Sequence, residues 1–117
     1  MTNTQWDALP DTIKTFMTAV DAREADRALA TLTPDAVVTD EGHDYAGHDA
    51  IGSWVATAAS EYTYTTEITG ATVLERETDT IFDVAQHLEG DFPGGVADLH
   101  YRFSLDGALI SRVVIEP

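Results

Sequence analysis

The stretch that decides the fold runs from Ala36 to Trp54 and reads AVVTDEGHDYAGHDAIGSW. Val37 and Val38 make a short apolar strand, which ends on a lone carboxylate, Asp40. A polar turn follows. Gly47 or His48 then opens a helix whose apolar stripe is Ile51, Trp54, Val55 and Ala58. Asp49 falls in its first turn, where the helix dipole favours an acid. Strand, acid, loop and helix in that order bring a carboxylate to the mouth of a pocket.

Upstream, Pro10 suits the start of a helix, and Ile13, Phe16, Met17 and Val20 repeat at helical spacing. Asp26 is placed to cap a second short helix that buries Ala28, Leu29 and Leu32, and Thr33-Pro34 stops it. From Tyr62 the period changes to two. Tyr62, Tyr64, Thr66 and Ile68 share one face of a strand, and Gly70 marks a bulge or bend. Thr80 to Glu89 reads as a second long strand, with Phe82, Val84, Gln86 and Leu88 on one face. After the loop Asp91-Phe92-Pro93-Gly94-Gly95, Leu99, Tyr101, Phe103 and Leu105 alternate with Asp98, His100, Arg102 and Ser104. The last strand is Ala108 to Glu116.

Asp106-Gly107 reads as a two-residue hairpin turn. That turn sets Leu105 against Ala108, Phe103 against Ile110 and Tyr101 against Arg112. Directly opposed residues share a face, so Arg112 is expected on the inward, apolar side beside Tyr101. A buried Arg needs a partner, for which Asp40, Glu116 and a ligand anion are the candidates. Val113, Leu109, Ile81 and Ala85 are then expected on the outer face, where a second subunit would cover them. Three helices followed by a long antiparallel meander give an α+β fold, with helices on the concave side of a bent sheet.

The chain of 117 residues fits one domain, residues 1–117, and 44% hydrophobic residues is ordinary for a folded core. The net charge of −15, with six Lys plus Arg, makes nucleic acid and anionic membrane poor partners. With no cysteine, disulfides, thiol nucleophiles and thiolate metal sites are excluded. No apolar run approaches the roughly 20 residues of a membrane span, and MTNTQWDALPD lacks the basic and apolar regions of a secretory signal. The expected location is the cytoplasm.

Four motifs together carry a family resemblance: FMTAVDAREAD in helix one, AVVTD in the short strand, YAGHDAIGSW at helix three and HYRFSLDGALISR in the final hairpin. The chain resembles the nuclear transport factor 2-like (NTF2-like) superfamily, in its SnoaL-like and ketosteroid isomerase-like branch. The resemblance implies a cone: three N-terminal helices packed in a curved antiparallel sheet, a ligand cavity inside, and often a homodimer through the sheet's outer face. It implies a base at the end of the first strand, where this chain has Asp40. The two oxyanion donors of ketosteroid isomerase fall on Phe16 and Leu99, neither of which can donate. Losing even one such donor typically costs about 10²–10³ in rate. Efficient ketosteroid isomerisation by that mechanism is therefore not expected. Trp54 falls where the family has a pocket aromatic.

The candidate site is thus Asp40 as acid–base group, with Phe16, Trp54, Phe82, Gln86, Leu99, Tyr101 and Arg112 lining a ligand cavity. Each has a plainer reading: Asp40 as a turn acid, Phe16 and Trp54 as core, Arg112 in a structural ion pair. His43, His48, Asp40, Asp44 and Asp49 are a dense set of potential metal ligands, but their short loop has no recognised zinc spacing, and no metal or other cofactor is expected. His87 and His100 have outward parity. The expected protein binds a small, hydrophobic, oxygen-bearing molecule, with isomerase-like proton transfer by Asp40. The alternatives are a non-catalytic binder, or a dimeric interaction module whose cavity is filled by its own side chains.

Overall fold

The computed structural model describes residues 2–3, 9–40, 42–57, 64–75 and 80–117. The expectations for Ala58 and Tyr62 fall outside them. Among the described residues the chain runs β1 (Thr2–Asn3), α1 (Asp11–Asp21), α2 (Ala25–Leu29), β2 (Leu32–Asp40), β3 (His43–Ala46), α3 (Gly47–Thr57), β4 (Tyr64–Glu75), β5 (Thr80–Gly90), β6 (Val96–Asp106) and β7 (Leu109–Glu116). The strands form one sheet in the order β1-β4-β5-β6-β7-β2-β3. All pairs are antiparallel except β2 with β7, which is parallel. This is a curved α+β cone, but its helices are interleaved with strands, since β2 and β3 separate α2 from α3.

α1 and α3 are amphipathic for one reason: they cover the concave face of the sheet, while α2 packs against the two of them. α1 turns Ile13, Phe16, Met17 and Val20 inward, and α3 turns Ile51, Trp54 and Val55. The sheet answers with Val84, Tyr101, Phe103, Val113, Ile115 and Val38. Phe16 meets Phe103 edge-on at 5.6 Å between ring centroids, and both are fully buried. Truncating a Phe so placed typically costs about 3–5 kcal/mol.

Three local readings differ from the sequence expectation. The helix at residues 25–29 starts after Glu24, with no side-chain cap from Asp26. The strand ending on Asp40 begins at Leu32, so Thr33-Pro34 lies inside it, where the pairing with β7 is irregular between Leu32 and Val37. A proline donates no N–H, and such breaks in a ladder are where strands tolerate it. The polar turn after Asp40 is itself partly strand, pairing back so that Asp40 faces His43 and Val37 faces Ala46. The bulge expected at Gly70 is present as a register shift between Ile68 and Gly70.

The last hairpin corrects the sequence reading most. Its loop is Gly107-Ala108, with Asp106 opposite Leu109 and Gly107 at φ +63°. A register shift then follows between Ser104 and Leu105: Leu105 faces Ile110, but Ser104 faces Arg112. Ser111 is the extra residue, and its hydroxyl donates to the Ser104 carbonyl at 3.2 Å. Since a one-residue slip exchanges the faces of a strand, Arg112 turns outward. It is exposed and donates to Thr39 Oγ1 at 3.4 Å. Val113, expected outside, is fully buried. The outer face instead carries charge: Asp83 accepts from Arg102 Nε at 3.1 Å and lies 2.8 Å from His100 Nδ1, and Arg102 also pairs with Glu116.

Candidate functional site

On the concave face one row of residues runs straight across five strands. Ala71 on β4 faces Val84 on β5, Val84 faces Tyr101 on β6, Tyr101 faces Ile115 on β7, and Ile115 faces Asp40 on β2. Tyr101 and Asp40 are the polar members of this row. One strand separates them, so their backbones are about 10 Å apart. Asp40 is half-buried at the end of β2, where the Trp54 indole N–H donates to its Oδ2 at 3.0 Å. Trp54 is fixed in turn by α3 and by Tyr45, whose ring lies 6.2 Å away.

Gln86 lies on the same face and is paired with Leu99. Because Val84 opposes Tyr101, Gln86 and Tyr101 are diagonal neighbours. They meet in a cleft between the end of α1 and strands β4 to β6, lined by Met17, Val20, Asp21, Tyr64, Thr66, Gln86 and Tyr101. The cleft leaves about 10 Å³ to the centre of a water molecule, room for a single water-sized group. Gln86 is 6% exposed and Tyr101 8%. Neither side chain donates a hydrogen bond to another described residue. Buried polar groups are normally paired, so two that open into one cleft mark a place for a ligand or water.

The electrostatics of the cleft are one-signed. Burial raises the Tyr101 phenol above its usual value, and nearby Tyr64, Asp40 and Asp21 push it the same way. Tyr64 is also raised, by burial and then Asp21, against a smaller opposing effect of Arg23. Both phenols are therefore held as neutral hydroxyls. Asp21 ends α1 and accepts from Thr66 Oγ1 at 3.1 Å through Oδ1.

The structure brings Asp40 together with Trp54, and Gln86 together with Tyr101. Phe16 is core, fully buried against Phe103. Phe82, opposite Phe103, and Leu99, opposite Gln86, are half-buried and packed on that core. Arg112 belongs to neither group, because the bulge puts it on the other face. Asp21, Tyr64 and Thr66 were not foreseen as site residues. Asp21 stands four positions after Met17, which puts it on the same side of the helix, and Tyr64 and Thr66 have the inward parity of Ile68. Near Asp40, His48 Nε2 lies 3.0 Å from the Thr33 carbonyl, and the Thr39 hydroxyl donates to Asp44 Oδ1 at 2.6 Å. Among the described residues no three His, Asp or Glu side chains converge on a metal-sized space. As parity predicts, His87 and His100 face outward; Asp98, 2.7 Å from His87 Nδ1, holds that imidazole above its ordinary value.

A curved sheet with helices on its concave face is the architecture of an NTF2-like cone. The chain is similar along its length to a Sinorhizobium meliloti protein provisionally described as a polyketide cyclase: 31% identity over 97% of this chain and 100% of that one, with a TM-score of 0.85. The chain belongs to the NTF2-like superfamily, in its SnoaL-like and ketosteroid isomerase-like branch. Two more distant structures share the fold. One is a Shewanella frigidimarina protein provisionally described as a ketosteroid isomerase, with 12% identity, 91% and 92% coverage of the two chains and a TM-score of 0.75. The other is a Mycobacterium tuberculosis protein in complex with estradiol-17beta-hemisuccinate, with 16% identity, 92% and 91% coverage and a TM-score of 0.69. No protein-family model and no curated protein matches the chain.

Proposed function

We propose that this protein binds a small oxygen-bearing molecule on the concave face of its sheet, and that Asp40 is the acid–base group acting on it. The observation that carries the reading is the pair Tyr101 and Gln86, buried, open to one cleft and donating to no described residue. Both can donate to a ligand oxygen. They compensate for Phe16 and Leu99, which cannot. The cleft is small, so only a polar head group of the ligand enters it. The Mycobacterium tuberculosis neighbour, in complex with a steroid derivative, supports a small-molecule reading.

In the chemical version of this reading the ligand is a β,γ-unsaturated ketone, and Asp40 takes a proton from the carbon next to its carbonyl. The electron pair moves onto the carbonyl oxygen, Tyr101 and Gln86 hold it, and Asp40 returns the proton to a second carbon. The non-catalytic alternative also has an observation in its favour: Trp54 already occupies Asp40 Oδ2. The two are separated by first titrating a panel of small ketones and alcohols into protein labelled for NMR, then comparing the wild type with Asp40→Asn. Exchange of solvent deuterium into a bound ketone should fall by at least about 100-fold in the variant, with binding retained. Equal exchange in both proteins assigns the chain to the binders, and no shift at Gln86 or Tyr101 with any compound removes the reading altogether.

Pairing of two copies through the outer sheet face belongs to the same proposal, with Ile81, Ala85 and Leu109 as its apolar part and Val113 removed from it. Sedimentation of a monomer at micromolar concentration would withdraw it.

A further inference from the structure

The geometry points to a primary ammonium group as what enters the cleft at the end of α1, held by the carboxylate of Asp21 and the carboxamide oxygen of Gln86. The inference rests on the proposed binding reading and narrows it to amine-bearing ligands, such as amino alcohols.

Four observations carry it. First, Asp21 is an acid at the C-terminal end of an 11-residue helix, and α1 has no basic residue in its last turn. The dipole there is negative, so a carboxylate is locally unfavourable and a cation beside it is favoured. Second, Asp21 has no cation paired with it among the described residues. Its one described bond is from the neutral Thr66 hydroxyl to Oδ1, which leaves Oδ2 open. Arg23 acts on Tyr64 but does not line the cleft. Third, the 94% buried Gln86 side chain faces the same space with no donation to a described residue, and its carbonyl oxygen is an acceptor. Fourth, the size agrees. Room for one water-sized group is room for an –NH3+ and not for a ring.

An ammonium group carries three donors and no acceptor. Asp21 Oδ2 and Gln86 Oε1 take two of them, and the tyrosine rings offer the faces that attract cations. The Tyr101 hydroxyl is then left to donate to the ligand's oxygen. A ligand that arrives already anionic is disfavoured, because Asp21 and Asp40 repel it and no described residue lining the cleft is Lys or Arg.

Three probes of nearly equal size decide the matter: 2-aminoethanol, ethylene glycol and glycolate, titrated at pH 7 and fixed ionic strength and followed by the backbone amide NMR signals of Asp21, Thr66, Gln86 and Tyr101. The protonated amine should bind at least about tenfold more tightly than the diol, the range of one charge-assisted hydrogen bond, and glycolate should not bind. Asp21→Asn should bring the amine down to the level of the diol. That variant removes a charge unfavourable at its position, so it should fold at least as stably as the wild type. If the diol binds as well as the amine, or Asp21→Asn leaves amine binding unchanged, the ammonium assignment is wrong and the binding reading stands. If none of the three moves these signals up to about 100 mM, well below the best efficiency of so small a ligand, both fail.

Discussion

Thr33 and Gln86 are both buried polar residues, yet they have opposite meanings. Thr33 is 7% exposed, and its hydroxyl has no hydrogen-bond partner among the described residues. It faces no described cleft, so it costs desolvation without serving a ligand. Thr33→Val keeps the shape and removes the unsatisfied group. Urea unfolding should show the variant as stable as wild type or up to about 1 kcal/mol more stable; a loss beyond about 1 kcal/mol would mean the hydroxyl has a partner after all. Gln86 opens instead into a space shared with Tyr101, and the Tyr101 phenol there is kept neutral by burial and by surrounding negative charge. A neutral phenol is a donor throughout the physiological pH range, which is what a ligand oxygen requires.

Two elements set where these residues stand. The last hairpin uses Gly107 at φ +63° and then spends Ser111 as an extra residue, which turns Val113 and Ile115 inward and Arg112 outward. The end of α1 sets Asp21. There the chain leaves the helix through Arg23 at φ +60°, with the Glu24 N–H donating to the Ala19 carbonyl at 2.8 Å. Glycine usually occupies such a left-handed position, because a Cβ is strained there. Arg23→Gly should raise stability by about 0.5–1 kcal/mol, seen as a higher urea midpoint with an unchanged slope. A lower midpoint would show that the Arg23 side chain contributes more than its backbone strain costs.

At the scale of the whole molecule, the net charge of −15 is spread over a chain with six Lys plus Arg. Such self-repulsion destabilises a compact state, and salt screens it. Raising NaCl from about 0.02 to 0.5 M should lift the melting temperature by several degrees. A fall would mean that paired charges, such as Asp83 with Arg102 on the outer face, outweigh the repulsion. The same charge biases the cleft. Asp21 and Asp40 lie far apart in sequence, and both press on Tyr101.

The sequence by itself determined the α+β fold class and most of the inner face, but neither the interleaving of helices and strands nor the parallel pairing of β2 with β7. Helical stripes and strand alternation are short-range patterns, so they placed Phe16, Val20, Ile51 and Trp54 inward, and with them Val84, Gln86, Tyr101 and Phe103. The same patterns carried the family resemblance that the 31% identical structure bears out. Only the tertiary structure decided Arg112 and Val113, because a bulge adds one residue without any composition signal and reverses every face beyond it. It also decided that Asp21 and Thr66, 45 positions apart, share a hydrogen bond at the cleft. Contacts between the end of a helix and a distant strand depend on how the sheet curves beneath it, and no local periodicity records that curvature.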